Sequence, residues 1–289
     1  MAHFFILPVA EAQRSSVAEE LGGADLTGKV LFERTLDKSY PVSGEDAELF
    51  VSNQFGAIRV STWDNPVVKV EGIIRVGAEN MMQAERYAQT IAIEGNHIGN
   101  RVEVRTVYPD GRPGGSIGGY GVELRITAPR EISLTIENRL GDCYVRDVAN
   151  DVTLDVAYGV IGMTNIGGVA RVRAKGDFPL QVSGLPMGGT FFLRSSQASF
   201  SDIGGTLTVN NYLGTVTLEK LHDAADVSVT CDNGPIRLTL PEGAKPYLLV
   251  TTEFGEIESD VPLRSQTWGR TSTGEVGSDE ATQRVELRT

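Results

Sequence analysis

The stretch NRLGDCYVRDV, Asn138–Val148, decides the fold because the chain writes it again at intervals of 17 to 21 residues. With Gly141 as origin, apolar residues stand at −7 (Leu134), −5 (Ile136), +2 (Cys143), +4 (Val145) and +7 (Val148). The same offsets from Gly159 give Val152, Leu154, Ile161, Met163 and Ile166, and from Gly214 they give Leu207, Val209, Val216, Leu218 and Leu221. Ser196 takes the glycine's place in one copy; Gly176, Gly234, Gly255 and Gly274 anchor others, the last the weakest. Far upstream, LFVSNQFGAIRVSTW sets Leu49, Val51, Ile58, Val60 and Trp63 around Gly56.

Period-two alternation on both sides of a glycine describes two half-buried strands joined by a tight turn, with a third short segment near +7. A unit this small cannot bury its apolar face alone. Stacking does bury it, which predicts an all-β fold, a parallel β-solenoid whose strands pair with their equivalents in the next coil at about 4.8 Å. An antiparallel β-sandwich also alternates and turns often, but it does not require the same offsets to recur. The anchor glycines are expected at one corner, in the φ > 0 region that side chains resist. Phe178 to Gly189, with Pro179 and Pro186, fits the pattern least well and predicts a bulge or loop.

The expected organisation is a leader over residues 1–27, a small α+β cap over 28–118 and a solenoid of about eight coils over 119–289. Within the cap, GAENMMQAERYAQTIAIEG reads as a helix from Glu79 to Ile91. Strands are expected before it at Val67–Val76 and after it at Ile91–Glu94 and Arg101–Val107. The end of a solenoid exposes apolar core and unpaired strand edges, so something must cover it. The start, MAHFFILPVAEAQ, resembles the tail of a secretory signal with an A-x-A site but lacks the basic front end, so it reads as the remnant of a signal peptide or as a disordered or weakly helical leader.

Composition narrows the partners. The 289 residues carry 38 acidic against 26 basic side chains, a formal charge of −12, and no basic run. Nucleic acid and anionic membrane surfaces both select for clustered Lys and Arg and are therefore not expected partners. No apolar run reaches the roughly eighteen residues of a spanning helix, so membrane insertion is not expected either.

LFVSNQFGAIRVSTWDNPVVKVEG, the helix after it, ITAPREISLTIENRLGDCYVRDV and the closing RVELRT together resemble the bacterial putative-adhesin family of domains of unknown function. The likeness covers roughly residues 29–289 and rests on pattern rather than on a motif. It implies a right-handed β-helix, often exported to the cell envelope, and it carries over no catalytic signature. Family members repeat Asn-Gly-Asp at the corner; here Asn233-Gly234 is the nearest match.

No catalytic, cofactor-binding or metal-binding residue stands out. GGSIG, Gly114–Gly118, matches the nucleophile elbow in letters, but Ser116 follows a Pro/Gly loop and precedes a strand, so a loop is expected. His3, His97 and His222 lack metal-site spacing. In a solenoid, chemistry should be sought in columns of stacked residues. Glu137 and Asp155 share offset −4 with Arg173 next to them, and Glu256 and Glu275 share one near the C-terminus; both read as solvated ladders. Thr135, Thr153, Thr208 and Ser228 form a column at −6 read as structural, and Asn53, Asn138 and Asn211 one at −3 suited to turn hydrogen bonding. Cys143 and Cys231 fall five coils apart, about 24 Å at the strand spacing, too far for a disulfide, so both are expected as buried free thiols.

The function expected from these readings is non-enzymatic, cofactor-free binding of an unknown protein or glycan at the cell envelope, with self-association open. A self-assembling scaffold and a polysaccharide-active β-helix enzyme are the alternatives.

Overall fold

The structure, a computed structural model, describes residues 29–43, 46–110, 114–240, 246–252, 264–268, 271–277, 281 and 283–289. The expected leader lies outside them. From the N-terminal side the elements are β1 (Val30–Pro41), β2 (Glu48–Phe55), β3 (Ile58–Trp63), β4 (Val67–Ala78), α1 (Met81–Ala88), β5 (Ala92–Ile98), β6 (Arg101–Val107) and β7 (Ile117–Pro129). The repeats follow as β8 (Ser133–Leu140), β9 (Cys143–Arg146), β10 (Val152–Ala157), β11 (Ile161–Thr164), β12 (Ala170–Lys175) and β13 (Pro179–Leu185). They continue as β14 (Gly188–Arg194), β15 (Ser196–Ile203), β16 (Thr206–Asn211), β17 (Gly214–Leu221), β18 (Asp226–Cys231) and β19 (Ile236–Thr239). The C-terminal strands are β20 (Tyr247–Thr252), β21 (Arg264–Trp268), β22 (Thr271–Val276) and β23 (Arg284–Arg288).

The described residues are nearly all β, with one helix, and fold into two mostly parallel sheets, an arrangement consistent with a β-solenoid. Sheet A runs β1-β4-β7-β3-β9-β11-β13-β15-β17-β19, and sheet B runs β21-β22-β20-β23-β18-β16-β14-β12-β10-β8-β2-β6-β5. Each repeat gives one strand to each sheet, and equivalent strands stack side by side: Val152 lies between Leu134 and Ala170, and Ile161 between Cys143 and Leu180. The alternating apolar residues of the Gly141, Gly159 and Gly214 copies all point inward, and the +7 residues Val148, Ile166, Ile203 and Leu221 are buried as well. That periodic burial, rather than any single contact, drives the stack together.

The corner glycines serve two needs. Gly141 sits at φ 137°, and a Cβ there would stand 2.3 Å from the Gly56 carbonyl oxygen. At Gly159 the left-handed conformation has moved to Tyr158 (φ 58°), yet glycine is still required because its Cβ would meet the Gly141 oxygen at 2.0 Å. Close stacking of backbone on backbone, more than φ, is what the anchor column demands.

Both ends use the same device. The first repeat, β2 and β3, is seated between β6/β7 and β8/β9, so residues 48–63 and 101–107, from within the stretch expected to form the cap, join the parallel rungs together with β7. At the other end β23 is seated between β18 and β20. Beyond the N-terminal rungs, β4 and β1 add antiparallel to β7, β5 adds antiparallel to β6, and α1 packs against β1 and β4 with Ala84 and Ala88 buried. Asn80 caps α1 by accepting the Gln83 N–H at 3.0 Å, which places its start two residues later than the Glu79 expected, and the helix ends at Ala88, three residues before Ile91.

Two expectations change. The parallel pairing expected up to residue 289 continues in sheet B through β23 and β20, but β22 pairs antiparallel with β20 and β21, so the Gly274 copy is an antiparallel strand and not a corner. The loop expected from Phe178 to Gly189 is absent, since β13 and β14 are regular and separated only by Pro186 and Met187. Its irregular look comes from a two-residue slip. Leu180 and Val182, not Phe178 and Leu180, align with Ile161 and Met163, leaving Phe178 outside at 38% exposure.

Candidate functional site

The residues singled out in the sequence are dispersed. Ser116 lies in the turn before β7, with a strand and no helix after it, and its carbonyl accepts the Glu79 N–H. His222 stands exposed with Nε2 2.9 Å from Asp202 Oδ1, and His97 packs edge-on against Tyr40. Glu137, Asp155 and Arg173 are register neighbours on the solvent side of sheet B. The −6 column there is Thr135, Thr153, Arg171, Thr190, Thr208 and Ser228. Glu256 lies outside the described residues.

The asparagine column is buried and does more than cap its own turns. Asn53 Nδ2 donates to the carbonyls of Gly56 (3.1 Å) and Val122 (2.9 Å), while its Oδ1 accepts from Thr106 Oγ1 (2.6 Å) and Tyr108 OH (3.0 Å). Asn211 Nδ2 donates to the Ser196 carbonyl of the preceding coil at 2.9 Å. Cys143 and Cys231 are both free and buried.

A feature the sequence reading missed lies on the opposite sheet. The outward side chains of sheet A line a groove of about 850 Å³ across β3, β4, β7, β9, β11, β13 and β15. They stand in two columns. One runs Arg125, Arg59, Tyr144, Gly162, Gln181 and Ser199. The other begins at Lys69, just outside the groove lining, enters it at Thr127 and Ser61 and, one step beyond the Val60–Val145 pair, continues through Arg146. From Arg146 it passes to Thr164, Ser183 and Ser201 before reaching Glu219. Strand alternation puts these groups outside because Val60, Val145, Met163 and Val182 between them are buried in the core.

At the N-terminal end of the groove Glu123, with a side chain 5% exposed, joins three arginines: Arg125 Nε at 2.8 Å, Arg75 Nη1 at 2.9 Å and Arg59 Nε at 3.3 Å. Burial alone would raise its carboxyl, but hydrogen bonds from Arg125 and Arg75 outweigh that and hold it below the ordinary carboxylate value. Arg59 also lies over the Tyr144 ring, 4.6 Å from its centroid. Tyr144 donates to Asp142 Oδ2 at 3.1 Å, and burial together with that carboxylate pushes its hydroxyl up to about 12. Gly162 makes room for the ring, since a Cβ there would sit 2.7 Å from Tyr144 Cδ1. The result is a rigid floor of guanidinium, hydroxyl and amide groups. The signal was present at offsets +3 and +5, where carboxylates are missing over several coils of an acidic chain.

No family model matches the chain. No curated protein matches it either. Among solved structures, a "putative cell adhesion protein" from Clostridium sporogenes aligns over 88% of this chain and 94% of its own at 12% identity and a TM-score of 0.30. A "putative adhesin" from Bacteroides fragilis aligns over 71% of this chain and 97% of its own at 13% identity and a TM-score of 0.40. Another from Parabacteroides merdae covers 72% and 97% at 12% identity and 0.21. These neighbours bear bacterial adhesin names, consistent with the resemblance to the putative-adhesin family; likeness at this level transfers no activity or ligand.

Proposed function

We propose that the chain is a right-handed β-solenoid of adhesin type, exported or held at the cell envelope, that binds a protein or glycan without catalysing a reaction. The observation that carries this reading is the groove on sheet A, built from polar side chains presented at fixed intervals by a rigid backbone. Rigid presentation lowers the ordering cost of binding. Handedness and envelope placement draw their support from the family resemblance. The non-enzymatic reading draws its support from the family resemblance, which carries over no catalytic signature.

Filling the groove tests the proposal. Ser183→Trp should leave the circular dichroism spectrum and melting temperature near wild type while abolishing binding to an array of immobilised glycans and envelope proteins. Binding that survives the substitution sinks the groove reading. Release of new reducing ends or unsaturated sugars from a panel of polysaccharides would favour the enzyme alternative, and concentration-dependent sedimentation the scaffold.

A further inference from the structure

We infer that the groove takes a linear polysaccharide bearing carboxylate groups, laid along the stacking axis with its acid groups on Arg146 and Lys69. The inference rests on the reading of sheet A as the binding face and names its ligand class.

Charge carries the first part of the argument. The chain as a whole is at −12, yet between Glu71 and Glu219 the two outward columns hold no carboxylate. The cations at the N-terminal end are already engaged, because Arg59, Arg75 and Arg125 all reach Glu123. Arg146 and Lys69 differ. Both are exposed, and neither has an ion-pair or hydrogen-bond partner among the described residues. They lie in one column three strand steps apart, about 14 Å along the axis. A polymer carrying an acid on each sugar can reach both at once. An unpaired guanidinium is also the group best suited to bidentate carboxylate recognition.

The floor between and beyond the cations selects a sugar over a peptide. Thr127, Ser61, Thr164, Ser183 and Ser201 offer hydroxyls and Gln181 an amide, groups that exchange hydrogen bonds with hydroxylated ligands. A peptide in extended form would want a free sheet edge, and none exists within the groove: β3, β9, β11, β13 and β15 are each paired on both sides. The Glu219 carboxylate ends the run and sets the far limit of an anionic ligand.

The test is isothermal titration of the full chain with a hexasaccharide of galacturonic acid and with a neutral glucan hexasaccharide. The acidic oligomer should bind and the neutral one should bind far more weakly, with affinity for the acid falling as sodium chloride rises. Arg146→Gln should weaken acid binding at least about fivefold, and Arg146→Lys, which keeps the charge but not the planar fork, should restore only part of that loss. Arg173→Gln, which removes the same charge from sheet B, should change nothing. Equal binding of both hexamers, or equal loss from Arg173→Gln, overturns the inference while leaving sheet A as the binding face. Tighter binding of a polyglutamate peptide overturns it in favour of an acidic protein segment. If neither hexamer binds, the ligand class is wrong, and the Ser183→Trp assay separately decides whether the groove binds anything.

Discussion

Asn138 donates its side-chain amide to the carbonyl of Gly56 at 3.1 Å, across 82 residues of sequence, and to its own coil's Gly141 carbonyl at 2.8 Å. One buried amide thus ties the inserted N-terminal repeat to the next coil at the corner where both turn. The two corners stack so closely that no side chain fits between them, and only backbone carbonyls and an inward-pointing amide remain to satisfy each other.

Replacing Asn138 by Ala should therefore destabilise the chain by about 1–3 kcal/mol, because the Gly56 and Gly141 carbonyls lose a buried donor. Urea unfolding would measure it. An unchanged midpoint would mean that water replaces the amide at the corner.

Inward and outward positions one residue apart should respond differently to the same charge. Val216 is fully buried, whereas Thr217 beside it is half-exposed on the outer face of sheet A. Val216→Asp should cost about 3 kcal/mol or more, through an unpaired buried carboxylate, and Thr217→Asp less than about 1 kcal/mol. Comparable melting temperatures for the two variants would contradict the alternation on which the whole stack depends.

The thiols give a chemical check on register. Cys143 lies in β9 of sheet A and Cys231 in β18 of sheet B, where its Sγ contacts the Gly214 carbonyl at 3.4 Å. Burial, reinforced by Asp142, pushes the Cys143 thiol up to about 12, and burial raises Cys231 as well. Since only the thiolate reacts, Ellman's reagent should find neither group in the folded chain and both after denaturation without reductant. A peptide map joining the two cysteines would overturn the coil register.

The repeat made the two-strand rung, its register and its buried face legible in advance, because burying one face of a strand fixes a period of two that a one-residue slip would invert. What the sequence hid were features set by relations between distant rungs. Nothing around Gly56 says that its coil sits between β6/β7 and β8/β9, and nothing in RVELRT says that β23 enters ahead of β20. The two-residue slip at Asp177–Phe178 also passed unseen, since Phe178 and Leu180 alternate as well as Leu180 and Val182 do. The groove was missed for a simpler reason. Its carboxylate-free columns are defined by what is absent at +3 and +5, whereas the acidic and threonine columns of sheet B attract notice by what is present.

Glu123 allows the groove's electrostatics to be tested through pH. Its folded carboxyl is held below the ordinary value of 4.5, so it favours the folded state fully above that value and ceases to do so as pH falls through the lower, folded value. Glu123→Gln keeps the shape but leaves Arg75, itself largely buried, with only the more exposed Glu33 of its two carboxylate partners. At pH 7 the variant should be less stable by about 3 kcal/mol, as expected for breaking a buried pair. As pH falls below about 4.5 wild type should lose stability more steeply than the variant, so that the two curves converge on the acid side. Parallel curves through that range would show that Glu123 is not the carboxylate holding the arginines, and that Arg59 and Arg125 owe their placement in the groove to Glu71 and the Tyr144 ring instead.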